Sequence, residues 1–527
     1  MLENVTRRDA MRTTAAIAFG GTMVPESTIA EESKPTDQDA RSTDVLSAPN
    51  GAQVGDIVGD RALIWSRASG PARMYLHLST DREFSERRTI RGPAALADSD
   101  YTATIDIEGL PRGEEIQYRV EFKSLREPGI RSDPVGGSFR TPPTDRTDIR
   151  FVWGGDVVGQ GWGINPDFGG MKTFESMRKT DPDFFIHSGD SIYADGPLEE
   201  RVELDDGSVW HNVLTEAKSD VADTLTEFRG NYRYNLRDDH YREFVSEVPM
   251  IPQWDDHEVL NNWYPNEKLP ADDPHDVKSV NLLAARSQRA FLDYMPIRPR
   301  EDVDDAIYQR FPYGPSLEVF RLDMRSYRGP NTGNTQTESG PKTDFLGDTQ
   351  LDWLKDALSN SEATWKIIAA DMPIGLVVTD GDKYEAVANA DDGIPKGREL
   401  EIKELLSFMR SEGIRNVVWL TADVHYAAAH HYHPKRASFS EFEPFWEFVS
   451  GPLHAGTFGP NELDDTFGPK VVFEKSPPEG EANLPPSDGL QFFGQVDVDG
   501  RSDALTVTLK DMNDKSLYTK ELTPHGC

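Results

Sequence analysis

The chain has 527 residues, too many for one ordinary hydrophobic core, so two packed units with tails are expected. Its 91 acidic residues outnumber 56 basic ones, a formal net charge of -35 that argues against nucleic acid or an anionic membrane surface as a partner. One cysteine, Cys527 at the extreme end, excludes an intramolecular disulfide and zinc sites built on thiolates.

Residues 6–24, "TRRDAMRTTAAIAFGGTMV", join Arg7 and Arg8 to a short, mild apolar run. This is the outline of a twin-arginine export signal, expected over residues 1–30, with Ala10 and Met11 where Phe and Leu are more usual. The run is too short to span a bilayer, and no other segment is apolar for about eighteen residues, so a soluble, exported protein is expected at the cell surface or outside the cell. A polar, Glu/Asp/Ser-rich linker follows over 31–46. The acidic residues are dispersed along the whole chain, a composition suited to high salt, where screening removes self-repulsion; a halophilic source is therefore expected.

Residues 47–142 alternate apolar and polar in "RALIWSRA", "RMYLHLST", "YTATIDIEG", "IQYRVEFKS" and "VGGSFRTPP". Short strands at this spacing predict an all-β sandwich of immunoglobulin or fibronectin type, with Trp65 and Tyr118 in its core. "TPPTDRTD" reads as a hinge. The second unit, 147–527, repeats a different scheme: "IRFVWGGD", "DFFIHSGDSIY", "ATWKIIAADMPI" and "RNVVWLTADVHY" are continuous apolar runs that end in polar residues. Such runs predict central strands covered on both faces. "GDTQLDWLKDALSNS" and "GRELEIKELLSFMRSEG" have helical spacing, which makes the unit an α/β core. Residues 491–521 read as closing strands at a sheet edge. Long loops are expected over 197–244, 331–342 and 379–395.

In open α/β sheets reactive groups gather beyond the carboxyl ends of the strands. Four such ends carry hard or borderline metal ligands: Asp156; Asp190 with Tyr193; Asp256 and His257, followed by Asn262; and Asp423 with His425. Asp423 and His425 alternate on a strand-like segment, which puts both on one side. Arg325 in "LDMRSYRG" has two readings, a fork for a phosphate oxygen or an ion pair with a local Asp. His430, His431 and His433 in "AAAHHYHP" read as surface or supporting residues rather than ligands.

Taken together, "DFFIHSGDSIYADG", "QWDDHEVLNNW", "LDMRSYRG", "FLGDTQLDWLKDAL" and "TADVHYA", behind a β-unit with "VGDIVGDRALIWSRA", resemble the PhoD family of alkaline phosphatases and phosphodiesterases within the calcineurin-like metallophosphoesterases. The resemblance implies a four-layer core of two β-sheets flanked by helices, and a metal-activated hydroxide that cleaves phosphate mono- or diesters at a dinuclear or multinuclear centre. Asp190 then matches the bridging carboxylate and Tyr193 the phenolate that favours ferric ion. Asp156, Asp256, Asn262, Asp423 and His425 complete the metal set, and His257 acts on the leaving group or orders the water. Iron and calcium are the implied metals, with zinc or manganese as substitutes. Asp156 stands where the family commonly has cysteine, and replacing soft sulfur by hard oxygen weakens any thiolate-driven metal preference. Two other readings are a phospholipase D-like phosphodiesterase and a catalytically inactive adhesion protein.

Overall fold

The computed structural model describes residues 45–525 apart from 299, 301, 302, 304 and 305; the expected export signal, most of the expected linker and Cys527 lie outside the described residues. The apolar runs become strands whose successive side chains serve different cores. Phe151 and Trp153 point one way and Val152 the other; Phe184 and Ile186 oppose Phe185; Val418 and Leu420 oppose Trp419. The first set of each meets in a core between two sheets, while the second set packs under helices.

One sheet has nine strands, with Ile149–Gly154, Phe184–Ser188 and Met250–Gln253 parallel at its centre. The other has seven, with Leu317–Arg321, Trp365–Ala369, Val417–Thr421 and Phe445–Val449 parallel. Helices Lys172–Lys179, Leu225–Asn235, Asp239–Glu247 and Val280–Tyr294 cover the outer face of the first sheet. Helices Asp348–Ser359 and Glu399–Ser411 cover the second. The result is a mixed α/β sandwich in which all parallel strands are buried on both faces. Each fully buried Phe or Ile adds about 1.5–3 kcal/mol relative to exposure, so this double coverage is the main source of stability. Within the nine-stranded sheet the Trp153 ring lies over its cross-strand partner Gly494, where a Cβ would be 2.0 Å from the ring.

The closing strands Phe492–Val498, Leu505–Asp511 and Ser516–Leu522 extend one edge of the nine-stranded sheet, as expected. The other edge comes from the N-terminal unit. Of its seven strands, Arg88–Ala95, Ala72–Ser79, Glu115–Ser124 and Val135–Arg140 form a sheet of their own. Ala52–Val58, Arg61–Arg67 and Thr102–Ile107 instead continue the large sheet, through a parallel contact between Gly55 and Met250. Tyr118 lies in the core of the N-terminal unit as expected, whereas Trp65 packs in the core under the helices of the second unit, and both tie the two units together. Trp65 Nε1 donates to the Asp293 carbonyl at 2.7 Å and the Tyr118 hydroxyl to that of Ser246 at 2.8 Å.

The stretch 197–244, expected as loop, is largely structured. It contains a small hairpin, Arg201–Glu203 with Val209–His211, and the helices Leu225–Asn235 and Asp239–Glu247. Thr224 and Glu227 form a reciprocal capping box at the start of the first helix, and Asp238 caps the second. Seven of the eleven residues of Leu225–Asn235 are buried, Arg229, Asn231 and Asn235 among them, so no apolar stripe marks the helix in sequence. Among the described residues, no helix is long and apolar enough to cross a membrane.

Candidate metal centre

The candidate ligands sit just beyond the carboxyl ends of parallel strands in both sheets, where the backbone turns sharply. Asp156, Asp190, Asn262, Asp423 and His425 all adopt positive φ, between 50° and 67°. Asp, Asn and His are the side chains that best tolerate this left-handed region, and such conformations cluster at functional sites. For Asp423 and His425 this corrects the expected strand alternation. The strand ends at Thr421, and two left-handed residues, rather than a pleat, bring both side chains inward.

Three groups of donor atoms converge, each within 4.8 Å: Asp156, Asp190 and His425; Asp190, Asp256 and His257; Asp255, Asp256 and Asp423. Asp190 joins the first to the second, and Asp256 joins the second to the third. Tyr193 Oη lies 2.8 Å from His425 Nε2, which is itself 3.2 Å from Asp156 Oδ1. The Tyr193 ring rests on the His257 ring with centroids 4.2 Å apart, and Gly159 leaves it room: a Cβ there would fall 2.5 Å from Tyr193 Cζ. Asn262 turns its amide toward Asp256 Oδ2 and Glu385 Oε2; with nitrogen on that side it donates to them at 3.2 and 2.9 Å, and its oxygen accepts from Asn261 Nδ2 at 3.3 Å.

These residues fit a cation. Both carboxylate oxygens of Asp156, Oδ2 of Asp190 and Nε2 of His257 are buried without a hydrogen-bond partner among the described residues. Leaving such atoms unmatched costs about 1–3 kcal/mol each, more for charged groups, and native proteins rarely tolerate it. Carboxylate, imidazole, amide and phenol donors without sulfur suit hard or borderline ions. Burial, reinforced by Asp256, Asp156 and Glu258 against His257, holds the Asp190 carboxyl well above its usual range. A bound cation would reverse that penalty.

His257 is fully buried. Its backbone N–H donates to Asp190 Oδ1 at 3.2 Å, and its Nδ1 lies 2.7 Å from Asp195 Oδ1. Asp195 is fixed in turn by the Asn261 N–H at 2.8 Å. Burial alone would depress this imidazole, but the carboxylates of Asp195, Asp256 and Asp190 together push it up to about 10. Arg325, expected as a catalytic fork for phosphate or as the partner of a local Asp, does neither with its side chain, which pairs with acids distant in sequence. Fully buried, it donates from Nε to Asp255 Oδ1 at 2.5 Å and from Nη1 to Glu385, with Asp371 3.4 Å away. That enclosure leaves it no path to a substrate phosphate.

The sequence reading missed Asp195, Asp255, Glu258, Asp371 and Glu385. Glu258 accepts from the N–H of Asp190, Ser191 and Asp255 and from the Ser191 hydroxyl, at 2.5–3.3 Å, and so joins two ligand-bearing turns. Asp371 carried a signal, since it ends the apolar run of Trp365–Ala369 as Asp190 ends that of Phe184–Ser188. The histidine tract lies apart from all three donor groups: His430 is buried against Glu447, with Nδ1 3.0 Å from Oε2.

A two-sheet α/β sandwich with a buried, oxygen-rich cation site at its strand ends defines a metal-dependent phosphohydrolase. The purple acid phosphatase from yellow lupin (Lupinus luteus) seeds shares the fold, with a TM-score of 0.54 at 12% identity over 91% of this chain and 74% of that one. More narrowly, the chain belongs to the PhoD-like phosphatase family: the family model matches residues 151–509, and that of the family's N-terminal domain matches 33–143. Alkaline phosphatase D of Bacillus subtilis (strain 168) is 27% identical over 461 residues, 81% of this chain and 74% of the relative. A solved structure of PhoD matches with a TM-score of 0.67 and 20% identity, over 92% of this chain and 90% of that one. The chain is a phosphoric ester hydrolase.

Proposed function

We propose that this hydrolase is exported by the twin-arginine route and cleaves phosphate mono- and diesters of small molecules at a pair of cations. Asp156, Asp190, Tyr193 and His425 would hold one; Asp190, Asp256, Asn262 and Asp423 would hold the other, with Asp190 between them. Iron at the tyrosine side and calcium at the other are the metals this donor set favours, since phenolate suits a ferric ion and oxygen ligands suit calcium. What the chemistry draws from bound cations is Lewis acidity toward the phosphoryl oxygens and a more acidic water. The chain's own part is positioning and proton handling. Asp195 fixes the tautomer and orientation of His257 through Nδ1, and Nε2 is left to deliver a proton to the leaving oxygen or to order the attacking water.

The observation that carries this reading is Asp156: a buried carboxylate with neither oxygen hydrogen-bonded among the described residues makes physical sense as a metal ligand. Asp190→Asn is the test. It should abolish hydrolysis of para-nitrophenyl phosphate and of its bis-ester and lower bound metal while the fold is kept. A fully active variant would refute the assignment. The ratio of the two activities in the native enzyme assigns monoester or diester preference. Elemental analysis with a search for a tyrosinate-to-iron absorption band identifies the metals, and absence of iron would make Tyr193 an ordinary ligand of a divalent ion.

A further inference from the structure

Tyr193 and Asp195 share one turn, and a single buried residue holds it. Residues 193–196 form a β-turn in which the Gly196 N–H donates to the Tyr193 carbonyl at 3.3 Å, longer than the usual bond. The phenol stands at the first position of this turn and Asp195, the partner of His257, at the third. Lys218 meets the segment at both ends. Its Nζ donates to the same Tyr193 carbonyl at 2.8 Å, and its own carbonyl accepts the Leu198 N–H at 2.6 Å. Lysine is almost never fully buried, yet Lys218 is only 2% exposed. An apolar side chain of similar length would fill the same space without the cost of burying an amine, so packing alone does not account for a lysine there.

Lys218 is itself held firmly. Ala217, the residue before it, packs so closely on the helix Leu225–Asn235 that a Cβ on Gly230 would lie 2.3 Å from the Ala217 Cβ. The Ala217 carbonyl also accepts from Asn231 Nδ2 at 3.1 Å, and the Ala222 N–H donates to the Ala194 carbonyl at 2.8 Å. We infer that Lys218 is a positioning residue of the hydrolase: by clasping 193–198 at both ends it fixes the Asp195 carboxylate on His257 and the Tyr193 phenol beside His425. This rests on the role given to His257 above. Without the lysine, the Tyr193 carbonyl keeps the Gly196 N–H, so the turn survives but is held less exactly. A displacement of about 1 Å in a group that orients a proton costs on the order of 100-fold in rate.

The test uses the full-length, metal-loaded protein. Lys218→Met should lower kcat on para-nitrophenyl phosphate roughly 10- to 100-fold, with KM, metal content and melting temperature little changed. Amide hydrogen exchange should quicken within 193–198 while Ile149–Gly154 and Met250–Gln253 stay protected. Combined with Asp195→Asn, it should cost less than the product of the two separate losses, because both act on His257. If Lys218→Met does not fold, Lys218→Gln, too short to span from 218 to the Tyr193 carbonyl, should show the same loss of kcat and the same quickened exchange. A folded variant with wild-type kcat, or with wild-type exchange over 193–198, overturns the inference, as do losses that simply multiply when Asp195→Asn is itself slow. Asp195→Asn at wild-type kcat, beside a slow Lys218→Met whose turn exchanges faster, sinks instead the role of His257 and leaves the clasp acting through Tyr193.

Discussion

Asp195→Asn removes one charge and almost no volume from behind His257. What is lost is a charge-assisted hydrogen bond of 2.7 Å to a fully buried imidazole, with Asn261 N–H still able to find an oxygen at the same place. Such a bond contributes about 1.5–3 kcal/mol. If it serves to hold and orient the proton on His257 in the transition state, the rate should fall roughly 10- to 150-fold at about 1.36 kcal/mol per tenfold. The sign of the accompanying pH effect follows from the same contact. Asp195 is the foremost of the carboxylates that lift His257 to about 10, so its loss lowers that value and moves the alkaline limb of the pH–rate profile toward lower pH. The assay is kcat and KM on para-nitrophenyl phosphate across pH, with metal content measured on the same samples. Asp195 touches no residue of the first donor group, so metal should be retained and KM little changed. A variant that keeps both its metal and its wild-type kcat would refute the reasoning.

Gly159→Ala puts a Cβ 2.5 Å from Tyr193 Cζ, and overpacking of this kind costs about 1–3 kcal/mol. Activity should drop further than the melting temperature implies, because the displaced ring also contacts His257 and His425; unchanged kcat would count against a role for Tyr193. Burial, with Asp464 adding to it, raises Glu399 to about 8. A raised carboxyl contributes stability that is full below the unfolded value of 4.5 and lost as pH rises through 8. Glu399→Gln should therefore gain on wild type in thermal melts as pH is taken from about 5 to about 9, and equal melting differences at both would contradict it. The dispersed charge of -35 predicts activity that holds or rises toward molar salt, measured at fixed metal concentration; a steady decline would remove the argument for a halophilic source.

Much of this fold was legible because burial on both faces leaves a plain mark: a run such as Phe184–Ser188 has no polar side to place in water. Asp156, Asp190 and Asp423 were legible as the first acids after such runs. The left-handed turns that aim them were not, since Asp and Asn adopt that conformation without a glycine to advertise it. The supporting groups were hidden for a related reason. Arg325 pairs with Asp255, 70 residues away, and with Glu385, 60 away, and Glu258 accepts from Asp190, 68 away, so no local spacing encodes those pairings. The helix Leu225–Asn235 had a local signal, the Thr224–Glu227 capping box, but its buried arginine and asparagines masked the periodicity that would have given it weight.

The ladder that carries Ala52–Val58 beside Met250–Gln253 gives the N-terminal unit a second occupation. It is the selvage of the catalytic fabric. Were translation to begin at the hinge, Met250–Gln253 would end the sheet with open N–H and C=O groups, and an exposed strand of that kind recruits other chains. Arg298, held by Asp56 and Asp106, and Tyr294, whose carbonyl receives Gln53 Nε2, would lose their partners in the same cut. The hydrolase and its β-unit therefore share one sheet, and a chain without the β-unit would bare that edge before it lost a single candidate ligand.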